Sequence, residues 1–250
     1  AASCIPEISD TIVNLDRALR WGFNHSAGPF EVWNGLDMEK YAARMEAEGS
    51  SVPSWVKEML SLGITSFYKT EEGAEYYYSI TDKKYMPIAY TPGMIVLKDL
   101  KTKNKVVKTS AAGTIYDLGD GVICFEMHTR TSSISPELLE AMDDAQEELN
   151  SNWDGMVVAS AGKNFCVGAD LKAILPYIEA KKWSEISALL KRGHELYLRN
   201  KYSYKPVVMA PFGMVLGGGC EICMQSSAIQ AAAETYMGLV EVGVGLVPAG

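Results

Sequence analysis

Apolar residues recur at helical spacing through the first third of the chain. Ile8, Ile12, Leu15 and Leu19 share one face and end at the aromatic cluster Trp21-Gly22-Phe23, which predicts a helix. Pro29 opens a short helix carrying Phe30, Val32 and Trp33. Asp37 caps another through Tyr41 and Met45, and Gly49 stops it. Pro53 opens one more, Trp55 to Leu62, closed by Gly63. Short helices joined by Gly and Pro turns predict a packing or dimerisation module, and its lone His25 has no paired acid. Residues 66–90 are Tyr-rich and predict a short hairpin with a connecting loop. The acidic Glu71, Glu72 and Glu75 weigh against an aromatic surface for nucleic acid there. From about Thr91 to Ser110 the pattern predicts a linker with one strand, Met94 to Leu97.

The period changes at Gly113. Thr114-Ile115-Tyr116 and Val122 to Met127 read as strands, joined by Leu118-Gly119-Asp120-Gly121, where Gly and Asp tolerate positive φ. Ser135 caps and Pro136 opens a helix with Leu138, Leu139, Met142 and Leu149 inward. Met156 to Ala159 is a third strand, followed by a loop to Asp170. Ile186, Leu189, Leu190, Gly193, Leu196 and Tyr197 form one face of a long helix, and Val207 to Ala210 a fourth strand. His194, beside Gly193, has no partner at an offset that suggests a triad. Strands alternating with helices predict an α/β arrangement.

Composition narrows this little. A chain of 250 residues with 48% hydrophobic and 22% charged residues is ordinary for a globular protein. The net charge of −8, with no basic stripe, argues against a general nucleic-acid binder. No apolar run reaches the ~20 residues of a membrane-spanning helix. Cys4, Cys124, Cys166, Cys220 and Cys223 are read as forming no C-x-x-C pair; Cys220 and Cys223, on the expected core helix, read as small buried hydrophobes, with reducing cytoplasm as the natural compartment.

The chemistry concentrates in Val207 to Glu221. Gly217-Gly218-Gly219 lie between a buried strand and the apolar helix expected from Cys220. Glycines there let backbone approach a ligand and leave N–H groups facing outward. Glu221 adds a titratable group beside them. A tight strand-to-helix crossing with a first-turn charge would use the same residues. A P-loop would need Lys-Ser or Lys-Thr after the glycines, and neither is present.

Three stretches in order resemble the crotonase (enoyl-CoA hydratase/isomerase) superfamily: Asn164-Phe165-Cys166-Val167-Gly168-Ala169-Asp170-Leu171, Gly217-Gly218-Gly219-Cys220-Glu221, and Gly238 to Gly250. Before them, Ala18 to Asn24 with Gly28 to Trp33 is similar to the helical C-terminal domain of 3-hydroxyacyl-CoA dehydrogenases. The resemblance implies a helical module over residues 1–92, a linker over 93–112 and a partial crotonase-like ββα spiral over 113–250. It places two oxyanion-hole amides on Ala169 and Gly218 and two catalytic glutamates on Glu221 and Glu241. Phe165, Val167, Gly168, Asp170, Leu171, Gly217 and Ala249 become substrate- or CoA-binding positions. It also implies an acyl-CoA thioester substrate, no cofactor for hydration and no metal. NAD would belong to a dehydrogenase part outside this chain, because no G-x-G-x-x-G follows a strand near the start. Self-association or a complex with a thiolase is implied as well.

The loop His128 to Ser133 lacks the family's Asn-Ala pairing, and Ala249 stands where Gly is frequent. The family's spiral continues beyond the position of Gly250, so a chain ending there is expected to be weakly active. The leading expectation is hydration of trans-2-enoyl-CoA. A Δ3–Δ2 enoyl-CoA isomerase and an inactive scaffold fragment are the alternatives.

Overall fold

The computed structural model describes residues 1–71, 74–102, 104–129 and 132–248. The chain divides into two compact units, Ala1–Met94 and Ile95–Gly250.

In the first unit helix α1 spans Ile12–Phe23. The Thr11 hydroxyl accepts from Asn14 N, so the helix starts there and Ile8 lies exposed outside it. Helices α2 (Pro29–Asn34), α3 (Met38–Ala47) and α4 (Ser54–Ser61) follow the expected Pro and Asp starts. The Tyr-rich stretch is richer than a hairpin: β1 (Tyr68–Glu71), β2 (Ala74–Ser79) and β3 (Lys84–Pro87) form an antiparallel meander. Ile12, Phe30, Met38, Val56, Met59, Phe67 and Tyr78 make its core. Asp16 ties the pieces together by accepting from Phe30 N at 2.9 Å, Glu31 N at 3.1 Å and the Tyr68 hydroxyl at 2.6 Å. Burial lifts the Asp16 carboxyl above its ordinary 3.8, although those donors pull it down.

The second unit opens with two departures from expectation. Met94 to Leu97 is not a strand; helix α5 spans Leu97–Thr102, where Leu97 and Leu100 stand three apart, a helical spacing. Within the expected linker, β4 (Val106–Thr109) is an edge strand paired antiparallel to β5 (Gly113–Gly119). All four β4 residues are exposed, so it carries no inward-outward alternation to read.

Strand β6 (Val122–Met127) completes the expected hairpin with β5. Helix α6 (Pro136–Asn152), β7 (Gly155–Ser160), α7 (Leu171–Glu179), α8 (Trp183–Lys201) and β8 (Val207–Met209) follow. Then come β9 (Met214–Leu216), α9 (Gly218–Met224), β10 (Ala228–Ile229), β11 (Tyr236–Gly238) and a 3₁₀ turn, Glu241–Val244. The main sheet has the order β10-β8-β7-β6-β5-β4, parallel from β6 to β10. Strands β9 and β11 form a separate parallel pair. Ile123, Phe125 and Met127 of β6, Val158 of β7 and Met209 of β8 pack with Leu138, Met142 and Leu149 of α6 and Leu196 of α8. Fully burying one such side chain is worth roughly 1.5–3 kcal/mol, so this layer anchors the loops at its edge.

Candidate active site

The expected loop after β7 is laced into its neighbours by backbone bonds. Phe165 N donates to Phe212 O at 3.0 Å and Leu216 N to Cys166 O at 2.9 Å. The Asn164 side-chain oxygen accepts from Met214 N at 3.0 Å. These bonds carry Val167 to Asp170 to the edge of the Gly217-Gly218 turn. On the other side, Gly217 N donates to Gly238 O at 3.0 Å, and the 3₁₀ turn after β11 brings Glu241 in. Three sequence-distant stretches thus meet at one point.

Gly217 sits at φ 53° and ψ −125°, a region that only glycine enters freely. A methyl group on its Cα would stand 2.7 Å from Glu241 Oε1. A methyl on Gly218 would stand 3.6 Å from Glu221 Oε2 and 3.8 Å from Ala169 N. One on Gly168, at φ +94°, would lie 3.5 Å from Gly218 N. The two expected amides and the two expected carboxylates are therefore gathered around the Gly217-Gly218 turn, close to backbone that carries no side chain. Among the described residues neither Ala169 N nor Gly218 N donates to a backbone acceptor. Glu221 is buried, with its N–H on Gly217 O at 3.0 Å. Glu241 Oε2 is buried and has no hydrogen-bond partner among the described residues. A buried acceptor without a partner is uncommon in folded proteins.

The other expected positions divide. Gly168 and Gly217 shape the site. Val167 N donates to Ser132 O at 2.9 Å, and Asp170 caps α7 by accepting from Lys172 N at 3.0 Å. Phe165 is wholly buried in the core, and Leu171 lies exposed at the start of α7. Ala249 lies outside the described residues, as do Glu72 and the Arg130-Thr131 part of the loop departing from the family pattern. Helix α9 begins at Gly218, two residues before the Cys220 start expected, because Gly217 O already accepts from Cys220 N at 2.8 Å.

Sequence reasoning missed one neighbour, Tyr197, and the spacing of two others, Cys220 and Cys223, whose burial it expected. Tyr197 of α8 is buried, and its phenol is raised by burial first and then by the charges of Cys166 and Glu221. Cys220 and Cys223 stand in C-x-x-C spacing, a signal visible in the sequence. Burial pushes Cys223 up to about 12 and also raises Cys220, with Glu221 and Glu241 adding to the latter. Thiolate, the reactive form, is disfavoured at both. His194 lies on the exposed side of α8. Among the described residues no cluster of His, Cys, Asp or Glu is arranged to hold a metal, and no helix is long and apolar enough to cross a membrane.

Comparison with known proteins identifies the family. The Enoyl-CoA hydratase/isomerase family matches residues 121–249, slightly more than half of the chain. A Bacillus subtilis protein, "Probable 3-hydroxyacyl-CoA dehydrogenase", is 40% identical over 250 residues, 100% of this chain and 31% of that relative. The "Fatty acid oxidation complex subunit alpha" of Shewanella loihica is 32% identical over 127 residues, 50% of this chain and 17% of its own length. The crystal structure of an enoyl-CoA hydratase from Bacillus anthracis has a TM-score of 0.51 at 24% identity, covering 55% of this chain and 54% of that one. At that identity the likeness is one of fold, and the fold is the crotonase-like α/β fold expected. The chain spans less than a third of the length of the relatives that it matches from end to end. With more than half of its residues matched, the chain belongs to the enoyl-CoA hydratase/isomerase family.

Proposed function

We propose that the chain hydrates trans-2-enoyl-CoA to 3-hydroxyacyl-CoA. The observation that carries the reading is the meeting of Ala169 N and Gly218 N with the carboxylates of Glu221 and Glu241 around Gly217-Gly218. The thioester oxygen sits between the two amides. Glu221 takes a proton from water as the water oxygen bonds to carbon 3. The displaced electron pair moves to the thioester oxygen, where the amides stabilise the enolate. Glu241 delivers a proton to carbon 2, and the enolate collapses to the product. The net change is one molecule of water added across the double bond. One fixed oxyanion donor is worth ~3–4 kcal/mol in related chemistry, and positioned acid–base groups add roughly 100-fold or more.

Isomerisation of the double bond needs only one carboxylate to carry a proton between carbons. Two carboxylates flanking the amides favour hydration. The name of the Bacillus subtilis relative supports a further reading, that the chain is part of a larger fatty-acid β-oxidation protein with a 3-hydroxyacyl-CoA dehydrogenase activity. Its NAD site would lie outside this chain, with the first unit as the dehydrogenase's C-terminal helical module. Cytoplasmic location and assembly with a thiolase or with further copies complete that reading. The test is to offer crotonyl-CoA and a trans-3-enoyl-CoA separately and identify the products. Loss of enoyl absorbance with formation of 3-hydroxybutanoyl-CoA supports hydration. Turnover of the trans-3 substrate alone assigns an isomerase, and turnover of neither assigns a scaffold.

A further inference from the structure

Residues Ser132 to Ile134 run beside Val167 to Asp170 as a short parallel ribbon. Val167 N donates to Ser132 O at 2.9 Å, Ile134 N to Gly168 O at 2.8 Å, and Asp170 N to Ile134 O at 2.9 Å. The last two bonds fall on either side of Ala169, which pairs with Ile134 as an isolated parallel bridge. In that pattern the Ala169 N–H is left pointing away from the ribbon, and its plane is fixed at both ends. The side chain of the same residue reaches the second amide. Ile134 Cδ1 lies 2.8 Å from the place a methyl on Gly218 would take, so it rests directly on that glycine.

We infer that Ile134 is a positioning residue for the proposed hydration, setting the spacing and aim of the Ala169 and Gly218 amides as a pair. Its main chain orients one donor and its δ-methyl seats the other. It touches neither substrate nor reacting atoms. This rests on the reading of those amides as the oxyanion hole. The physical reason is that oxyanion donors act only when already aimed where charge develops. A displacement of about 1 Å at such a site costs on the order of 100-fold in rate. Gly218 has no side chain of its own to fix it, and the contact with Ile134 supplies that restraint. The sequence hides this, because Ile134 reads only as the residue before a helix cap.

The test compares wild type with Ile134→Val, Ile134→Ala and Ile134→Met in the full-length protein that carries this chain. Two readouts are crotonyl-CoA hydration and the infrared carbonyl band of bound, isotope-labelled butanoyl-CoA. Removing the side chain in Ile134→Ala is expected to lower kcat by ~10–100-fold, with KM changed less than about 3-fold. The thioester carbonyl band should move back toward its solution frequency. Ile134→Val should move both in the same direction by less, and Ile134→Met, which restores a terminal methyl, should recover most of both. If Ile134→Ala does not fold, Ile134→Val alone decides. Wild-type kcat and carbonyl band in that variant overturn the inference, as does a fall in folded protein with neither readout changed per folded site. A wild-type protein that neither hydrates crotonyl-CoA nor shifts the carbonyl band places the failure in the proposed function instead.

Discussion

Glu241 and Gly217 are held so close that the glycine has no room to be anything else: its missing methyl would stand 2.7 Å from the Glu241 Oε1. Gly217→Ala therefore pushes on the carboxylate and also strains the backbone at φ 53°. The strain is expected to cost about 1–3 kcal/mol of stability. Displacing the carboxylate should lower hydration by roughly 100-fold. Thermal unfolding and crotonyl-CoA turnover, measured on the same preparation, check the two effects.

Asp16 is the polar centre of the first unit. Asp16→Ala leaves the Phe30 and Glu31 amides and the Tyr68 hydroxyl without their acceptor. The expected loss is about 2–4 kcal/mol, read as a lower urea midpoint. Asp16→Asn, which keeps one acceptor oxygen, should lose less.

The buried thiols predict how stability responds to alkali. Burial raises Cys166 from 9.0 to about 11, and Cys124 and Cys223 to about 12. A group raised on folding keeps its proton in the native state after the unfolded chain has lost it. Its contribution is complete below pH 9 and is lost as pH rises toward 11–12. Each thiol adds a slope of about 1.4 kcal/mol per pH unit in that window. Urea unfolding from pH 8 to pH 11 should show steadily falling stability, and Cys166→Ala should make the fall shallower. A midpoint constant over that range contradicts the assignment.

Much of this fold is legible where apolar pattern and turn chemistry agree. Ser135-Pro136 marks the start of α6 because cap and proline act locally, and Gly119 to Gly121 mark the hairpin for the same reason. Strand β4 leaves no such mark, since an exposed edge strand buries neither face. Strands β9, β10 and β11, two or three residues each, are too short for any period to show. The site divides along the same line. Glycines at 217 to 219 beside Glu221 suggest a ligand-facing turn without further help. Glu241, by contrast, is an unremarkable acidic residue until the bond from Gly217 N to Gly238 O brings its turn alongside. Ile134 and Tyr197 owe their places to contacts across more than thirty and twenty residues of sequence, which no local pattern records.

The most direct test of the account replaces the two carboxylates singly and together. Crotonyl-CoA hydration is measured for Glu221→Gln, Glu241→Gln and the double variant, with acyl-CoA binding followed by calorimetry. Each single change is predicted to cut turnover by at least ~100-fold while binding changes far less, because the amides of Ala169 and Gly218 remain. The double variant should fall well short of the product of the two losses, since the pair serves one water and one proton. A single variant that keeps near-full hydration would contradict the account and remove that glutamate from the mechanism.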